Sequence, residues 1–230
     1  MGNQVNAEHF YRMLADVAPF MCTDDTYKSL NTVRIETIGD HMVAVTTDRY
    51  TMAVGRAEYN GEPLALTLSR ADVVDFLKTA KSWCMPPRGW RGDPLMLSLD
   101  VRNLARRDYR YGSGQALGVE FPNGQTMLLE HLVIDFPAWR NLLPLDRAFT
   151  LTDDMPVQMS IQLLAKLTKT VSGKKNDMAF HFLERQRGQK SSPWIVARVG
   201  ADLQVLIVGK ESDQGAEVWT EWMWTVVETS

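Results

Sequence analysis

Apolar positions near the start of the chain recur at helical spacing. Phe10, Met13, Leu14 and Val17 share one face of a helix predicted over 7–18, and Asn6 stands where its N-cap belongs. Segments 32–38, 42–47, 51–56 and 64–68 read as strands, with turns at Gly39–Asp40 and Asn60–Gly61. A second helix is predicted over 69–82. Ser69 and Asp72 have the spacing of a capping pair, and Val73, Phe76, Leu77 and Ala80 form its apolar face. Lys78 lies on the opposite face, beside Asp75.

Segment 84–94 is rich in Pro and Gly and reads as a loop. Leu95, Leu97, Leu99 and Val101 then alternate with Met96, Ser98, Asp100 and Arg102, the pattern of a half-buried strand. Strands near 117–121 and 125–132 are joined by Asn123–Gly124, a hairpin signal. Prolines mark 136–144 as a connector. A short strand near Phe149 follows, and then a third helix over 160–172, ended by Gly173. Ile161, Leu164, Ala165, Thr168 and Val171 line one side of it; Gln162, Lys166, Lys169 and Thr170 line the other, and it carries no acidic residue. Strands at 178–183, 194–199 and 203–208 precede an acidic tail containing Trp219, Trp222 and Trp224. The strands come in runs and are not separated singly by helices. That order implies an α+β fold of antiparallel sheets with helices on one face.

Composition adds bounds. The chain has 230 residues, 45% of them hydrophobic, enough for one large core or two modest ones. Its formal charge is −3, so any contact with nucleic acid must come from a locally basic face. Cys22 and Cys84 give neither a metal spacing nor a disulfide framework. The opening residues lack the features of a signal peptide, and no apolar run approaches the ~18 residues of a membrane span. The expectation is a reduced, soluble, cytoplasmic protein. His9, His41, His131 and His181 have no zinc spacing, and Asp24–Asp25 and Asp153–Asp154 read as turn formers. Nucleophile, metalloprotease and phosphate-loop motifs are all absent from the sequence. No catalytic residue, metal ligand or cofactor is expected, and the protein reads as a non-enzyme.

Two segments carry a family resemblance. Tyr27–Glu36 (YKSLNTVRIE) followed by Met42–Val54 (MVAVTTDRYTMAV) resembles the "YLNG…E" and "ATDGHRLAV" strands of bacterial DNA sliding clamps, the beta subunits of DNA polymerase III. Phe136–Pro144 (FPAWRNLLP) resembles the "FPDYRRVLP" stretch that closes the middle domain of those clamps. The two segments stand in the family's order, with the 69–82 helix between them, and the resemblance covers residues 6–145. Beyond it, MSIQLLAKL, KSSPWIVARV and LQVLIVGK are similar to the second half of the family's last domain. Departures are Thr51–Met52 where the family has Arg-Leu, and Val208–Gly209 where it has Met-Pro.

The resemblance implies a shortened clamp built of processivity-fold domains. Residues 1–145 would form a clamp domain, and 146–230 a second, smaller one with a Trp-rich tail. Such a protein encircles duplex DNA without sequence preference and docks DNA polymerase and other replication proteins through short peptide motifs. By the same resemblance, Lys78, Lys81, Lys166, Lys169, Lys174 and Lys175 would face the phosphates. Thr47, Tyr50, Met52, Leu142, Pro144 and Val208 would line the apolar peptide pocket. Bacterial clamps carry three domains per chain, and two-domain clamps trimerise. The length here is nearer the latter, so a homo-trimer with six domain-like units is the expectation, with a phage or mobile-element origin compatible with the size. The alternative is a clamp-like adaptor or decoy that binds replication partners without ringing DNA.

Overall fold

The computed structural model describes residues 3–105, 114–142, 150–151, 157–158, 161–174, 176–184, 194–208 and 210–211. Strand β1 (Asn3–Asn6) runs straight into helix α1 (Ala7–Val17), because the Asn6 side chain accepts the N–H of His9 at 3.1 Å and caps the first turn. Strands β2 (Thr32–Ile38), β3 (His41–Thr47) and β4 (Thr51–Asn60) follow as an antiparallel meander. The same sequence of elements then repeats. Strand β5 (Ala65–Ser69) leads into α2 (Arg70–Cys84), where Ser69 Oγ accepts the N–H of Asp72 at 2.9 Å. Strands β6 (Met96–Asn103), β7 (Gln115–Glu120) and β8 (Thr126–Glu130) complete it. After a two-residue strand β9 (Thr150–Leu151), the pattern occurs a third time. It comprises β10 (Val157–Gln158), α3 (Ile161–Leu167), β11 (Met178–Glu184), β12 (Trp194–Val199) and β13 (Leu203–Val208), with β14 (Lys210–Glu211) directly after.

The first two βαβββ units complete each other. β1 pairs with the first half of β6, Asn3 opposite Leu99 and Asn6 opposite Met96. Reciprocally, β5 pairs with the first half of β2, Ser69 opposite Thr32 and Ala65 opposite Glu36. Their helices pack together, with Phe10 edge-on to Phe76 at 5.6 Å between ring centres and Tyr11 Oη donating to Leu77 O at 3.2 Å. Each unit also folds the end of its last strand back on its first. Asn60 and Tyr59 meet Gln4 and Val5; His131 meets Leu68 just beyond β8; Lys210 and Glu211 meet Gln158 and Val157 just beyond β13.

The third unit attaches through strand β4. Its first half carries β3 on one side and β13 on the other, Met52 opposite Leu206 and Gly55 opposite Leu203. All these pairs are antiparallel, and a single 12-stranded sheet results. Gly55 is required where it stands. A Cβ there would lie 2.9 Å from Met13 O and 3.3 Å from Val17 Cγ1, so only a glycine lets α1 settle onto β4. Asp16, at the buried end of α1, accepts the N–H of Ser172 at 2.8 Å and the Ser172 hydroxyl, tying α1 to the segment after α3.

The α+β class and the antiparallel sheets agree with the sequence pattern, and 32–38, 194–199 and 203–208 match residue for residue. Three features differ. β1, β10 and β14 have no periodicity to reveal them, being two to four residues long. α2 continues to Cys84, inside the expected loop. The third helix stops at Leu167, short of 172, because Thr170 Oγ1 donates to Leu167 O at 2.7 Å and accepts from the Gly173 N–H at 2.8 Å, diverting the backbone groups a further turn would need. Phe149, expected beside a strand, lies outside the described residues.

Candidate partner-binding and nucleic-acid surfaces

The β3–β4 turn is organised by one carboxylate. Asp48 accepts the N–H groups of Tyr50 at 3.0 Å and Thr51 at 2.6 Å, and the Thr51 hydroxyl at 2.7 Å. It also holds Lys166 Nζ from α3. Between these anchors Arg49 takes φ +81°, a left-handed conformation that costs a β-carbon-bearing residue about 1–2 kcal/mol. Its side chain offsets this: Nη1 donates to Tyr27 Oη at 2.7 Å, and the guanidinium lies 4.7 Å from the centre of the Tyr27 ring. Tyr27 is itself placed by the Asp24 turn, whose carboxylate accepts the Thr26 N–H and hydroxyl. Those bonds hold the exposed Asp24 carboxyl below the usual aspartate range. Tyr27, Arg49 and Tyr50 thus form an exposed aromatic–cation patch on a braced turn.

Of the residues assigned to the peptide pocket by resemblance, the β4·β13 pairing brings several to one place. Thr47 sits opposite Met52, and Thr51 opposite Ile207, so Val208 follows at the rim of the turn. Tyr50 is exposed there, whereas Thr47 is buried and Met52 is fully enclosed in the core. Leu142 ends the 3-10 turn Trp139–Leu142, and Pro144 lies outside the described residues. Sequence reasoning missed Tyr27 and Arg49 as patch residues. Their signal was the Arg standing where the resembled motif has Gly, a position with left-handed backbone.

A second polar feature lies on β2. Glu36 bridges Arg34 Nε at 2.8 Å and Arg140 Nη2 at 2.6 Å, and Arg140 stacks 5.1 Å from the ring centre of the buried Trp139. Together they line a cleft of about 460 Å³ closed by Ile134–Ala138. This is how the Pro-punctuated connector is fastened across the sheet.

The six lysines fall into different settings. Lys78 and Lys81 are exposed on α2, Lys78 3.8 Å from Asp75 across one turn. Lys169 and Lys174 are exposed after α3. Lys166 is mostly enclosed and committed to Asp48, and Lys175 lies outside the described residues. Among the described residues no group of three or more His, Cys, Asp or Glu could hold a metal ion. Both cysteines are free and buried, and burial pushes the Cys84 thiol up to about 12, which leaves it unreactive as a nucleophile. No described helix is long and apolar enough to cross a membrane.

No family model and no curated protein matches the sequence. Solved structures do match. The beta subunit of DNA polymerase III from Thermotoga maritima is similar at TM-score 0.55 and 11% identity, over 91% of this chain and 65% of that one. Caulobacter crescentus pol III beta matches at TM-score 0.60 and 10% identity, over 94% and 67%. A DNA polymerase sliding clamp from Pseudomonas aeruginosa matches at TM-score 0.55 and 15% identity, over 94% and 66%. The chain therefore has the fold of bacterial sliding clamps along nearly all its length, and spans about two thirds of theirs.

Proposed function

We propose that this protein is a DNA sliding clamp: a non-enzymatic processivity factor that assembles into a ring on duplex DNA and docks replication proteins. The observation that carries the reading is the shared fold over 91% or more of the chain. Lys78, Lys81, Lys169 and Lys174 supply sequence-independent phosphate contacts on an otherwise acidic body. Such contacts are salt-sensitive and weak enough singly to permit sliding. Lys166 is better read as a structural cation, since its charge is already met by Asp48. The peptide site is the rim formed by Tyr27, Arg49, Tyr50 and the end of β13, where aromatic faces and one guanidinium offer apolar contact and a polar anchor.

The test is topological. Protein assembled on nicked circular DNA at low salt is challenged with high salt, then the circle is cut. Retention on the circle and loss on linearisation is the expected result. Loss from both at the same salt concentration would remove the ring. A second reading is a clamp-like adaptor that binds replication partners without encircling DNA, favoured by the chain spanning only about two thirds of the clamps it matches. It predicts binding of polymerase peptides by a protein that never shows topological retention.

A further inference from the structure

Each βαβββ unit has two sets of sheet edges to fill. One set is used between complementary units: β1 on β6 and β5 on β2. The other joins last strand to last strand, as β4 joins β13 through Thr51–Gly55 and Leu203–Ile207. Units one and two complement each other, but the third unit has no complement among the described residues. β10 has only β14 beside it. Among the described strands β11 meets β9 only at Leu183 and Glu184, and none pairs with that edge over 178–182, the part of the strand that β6 and β2 use. Likewise units one and three are joined last strand to last strand, but β8 ends the sheet, its edge over Thr126–Glu130 unpaired by any described strand.

Three of the exposed apolar side chains lie in the units that carry those edges. Leu128, at the centre of β8, is 50% exposed; Phe180 on β11 is 37% exposed; Ile161, opening α3, is 79% exposed. Ile161, Ala165 and Thr168 make one exposed face of the segment at helical spacing, whereas α1 and α2 pack against each other.

We propose that second copies of this chain fill both edges like for like. The third unit pairs with the third unit of one neighbour, β10 on its β11 and β11 on its β10, as units one and two do within the chain. β8 pairs antiparallel with β8 of another neighbour, as β4 does with β13. Both interfaces are isologous, each surface meeting its own copy across a two-fold axis. Each interface consumes units in equal pairs, so a closed assembly holds an even number of chains. Three chains would leave one third unit and one β8 edge unfilled. Resting on the ring reading above, with six domain-like elements of two units each, the count is four chains bearing three units apiece. Neighbours then alternate in direction around the ring.

Light scattering over a range of concentrations tests this, on the wild type and on Leu128→Glu, Ile161→Glu and the double variant. Both side chains are at least half exposed, so the chain still folds. The expected mass is about 104 kDa (four times 26.1 kDa) for the wild type, half that for each single variant, and one chain for the double. Leu128→Cys should oxidise to a disulfide between identical positions, which a head-to-tail ring cannot form. A mass of three chains, a wild-type monomer at every concentration, or single variants of undiminished mass would overturn the proposal. So would a chain ending at residue 211 that assembles where the full chain does not, since residues 212–230 would then be the occupant of these edges. A four-chain particle that is not retained on circular DNA overturns the clamp function and leaves this assembly standing; a DNA-retained ring of three chains does the reverse.

Discussion

Asp48 and Lys166, 118 positions apart in sequence, form an ion pair that fastens α3 to the β3–β4 turn. Their side chains are 12% and 24% exposed, so solvent screens the pair less than a surface bridge. The partners are not equivalent. Without Lys166, Asp48 keeps three donors from Tyr50 and Thr51. Without Asp48, the turn loses its centre and an enclosed ammonium loses its counter-charge. Lys166→Met should cost about 1 kcal/mol in urea denaturation and Asp48→Ala about 2–4 kcal/mol. Equal losses would show that the turn does not depend on the carboxylate.

The lysines should divide in DNA binding. Changing Lys169 or Lys174 to Gln should weaken retention and lower the slope of log affinity against log salt by about 0.9 for each phosphate no longer neutralised. Lys166→Gln should leave that slope unchanged. A slope that falls for Lys166→Gln as well would place it on the DNA.

Gly55 sets how closely α1 approaches the sheet. Gly55→Val drives a branched side chain into Met13 O and Val17 and should destabilise by about 1–3 kcal/mol. A chemical melt with an unchanged midpoint would mean that α1 can lift from β4 at little cost.

Arg49 combines backbone strain with a stacked, hydrogen-bonded side chain. Arg49→Gly removes both and should leave stability within about 0.5 kcal/mol of wild type, while Arg49→Ala keeps the strain and should cost about 1 kcal/mol. Both should weaken polymerase-peptide binding in a fluorescence titration. Unaltered binding would move the docking site away from this turn.

Asp16 gives a pH dependence. Burial raises its carboxyl above the usual value, with the Ser172 hydrogen bonds and Arg12 acting in the opposite sense. Folding therefore favours the protonated form. Its contribution is greatest below the unfolded-state value and is lost as pH rises through the raised folded-state value. Asp16→Asn, whose amide can still meet Ser172, should flatten the fall in stability that sets in as pH rises above the usual aspartate value. A profile with the same slope would assign the effect to another group.

Much of the fold was legible because strands such as β2 and β6 alternate apolar and polar positions and two helices carry capping residues, Asn6 and Ser69, that bond as their sequence spacing implies. What stayed hidden was pairing. Nothing in the sequence near Met52 indicates that its strand meets Leu206, since that choice depends on edges left open by elements far away. The site was legible to the same extent. The motif brought Thr47, Tyr50 and Met52 to one turn, with Met52 enclosed in the core, and the bracing of Arg49 by Tyr27 is a tertiary interaction without periodicity.

Strand β4 has a consequence for synthesis. Its first half is finished at Gly55, but the strand that covers it begins at Leu203. At the usual pace of translation this edge stays bare for on the order of ten seconds while later residues emerge. A bare edge on so apolar a strand is a template for the wrong strand from a neighbouring nascent chain. The same strand that joins the first and third units in the finished protein is thus its point of greatest exposure on the ribosome, and slower decoding after residue 55 should raise the fraction that aggregates.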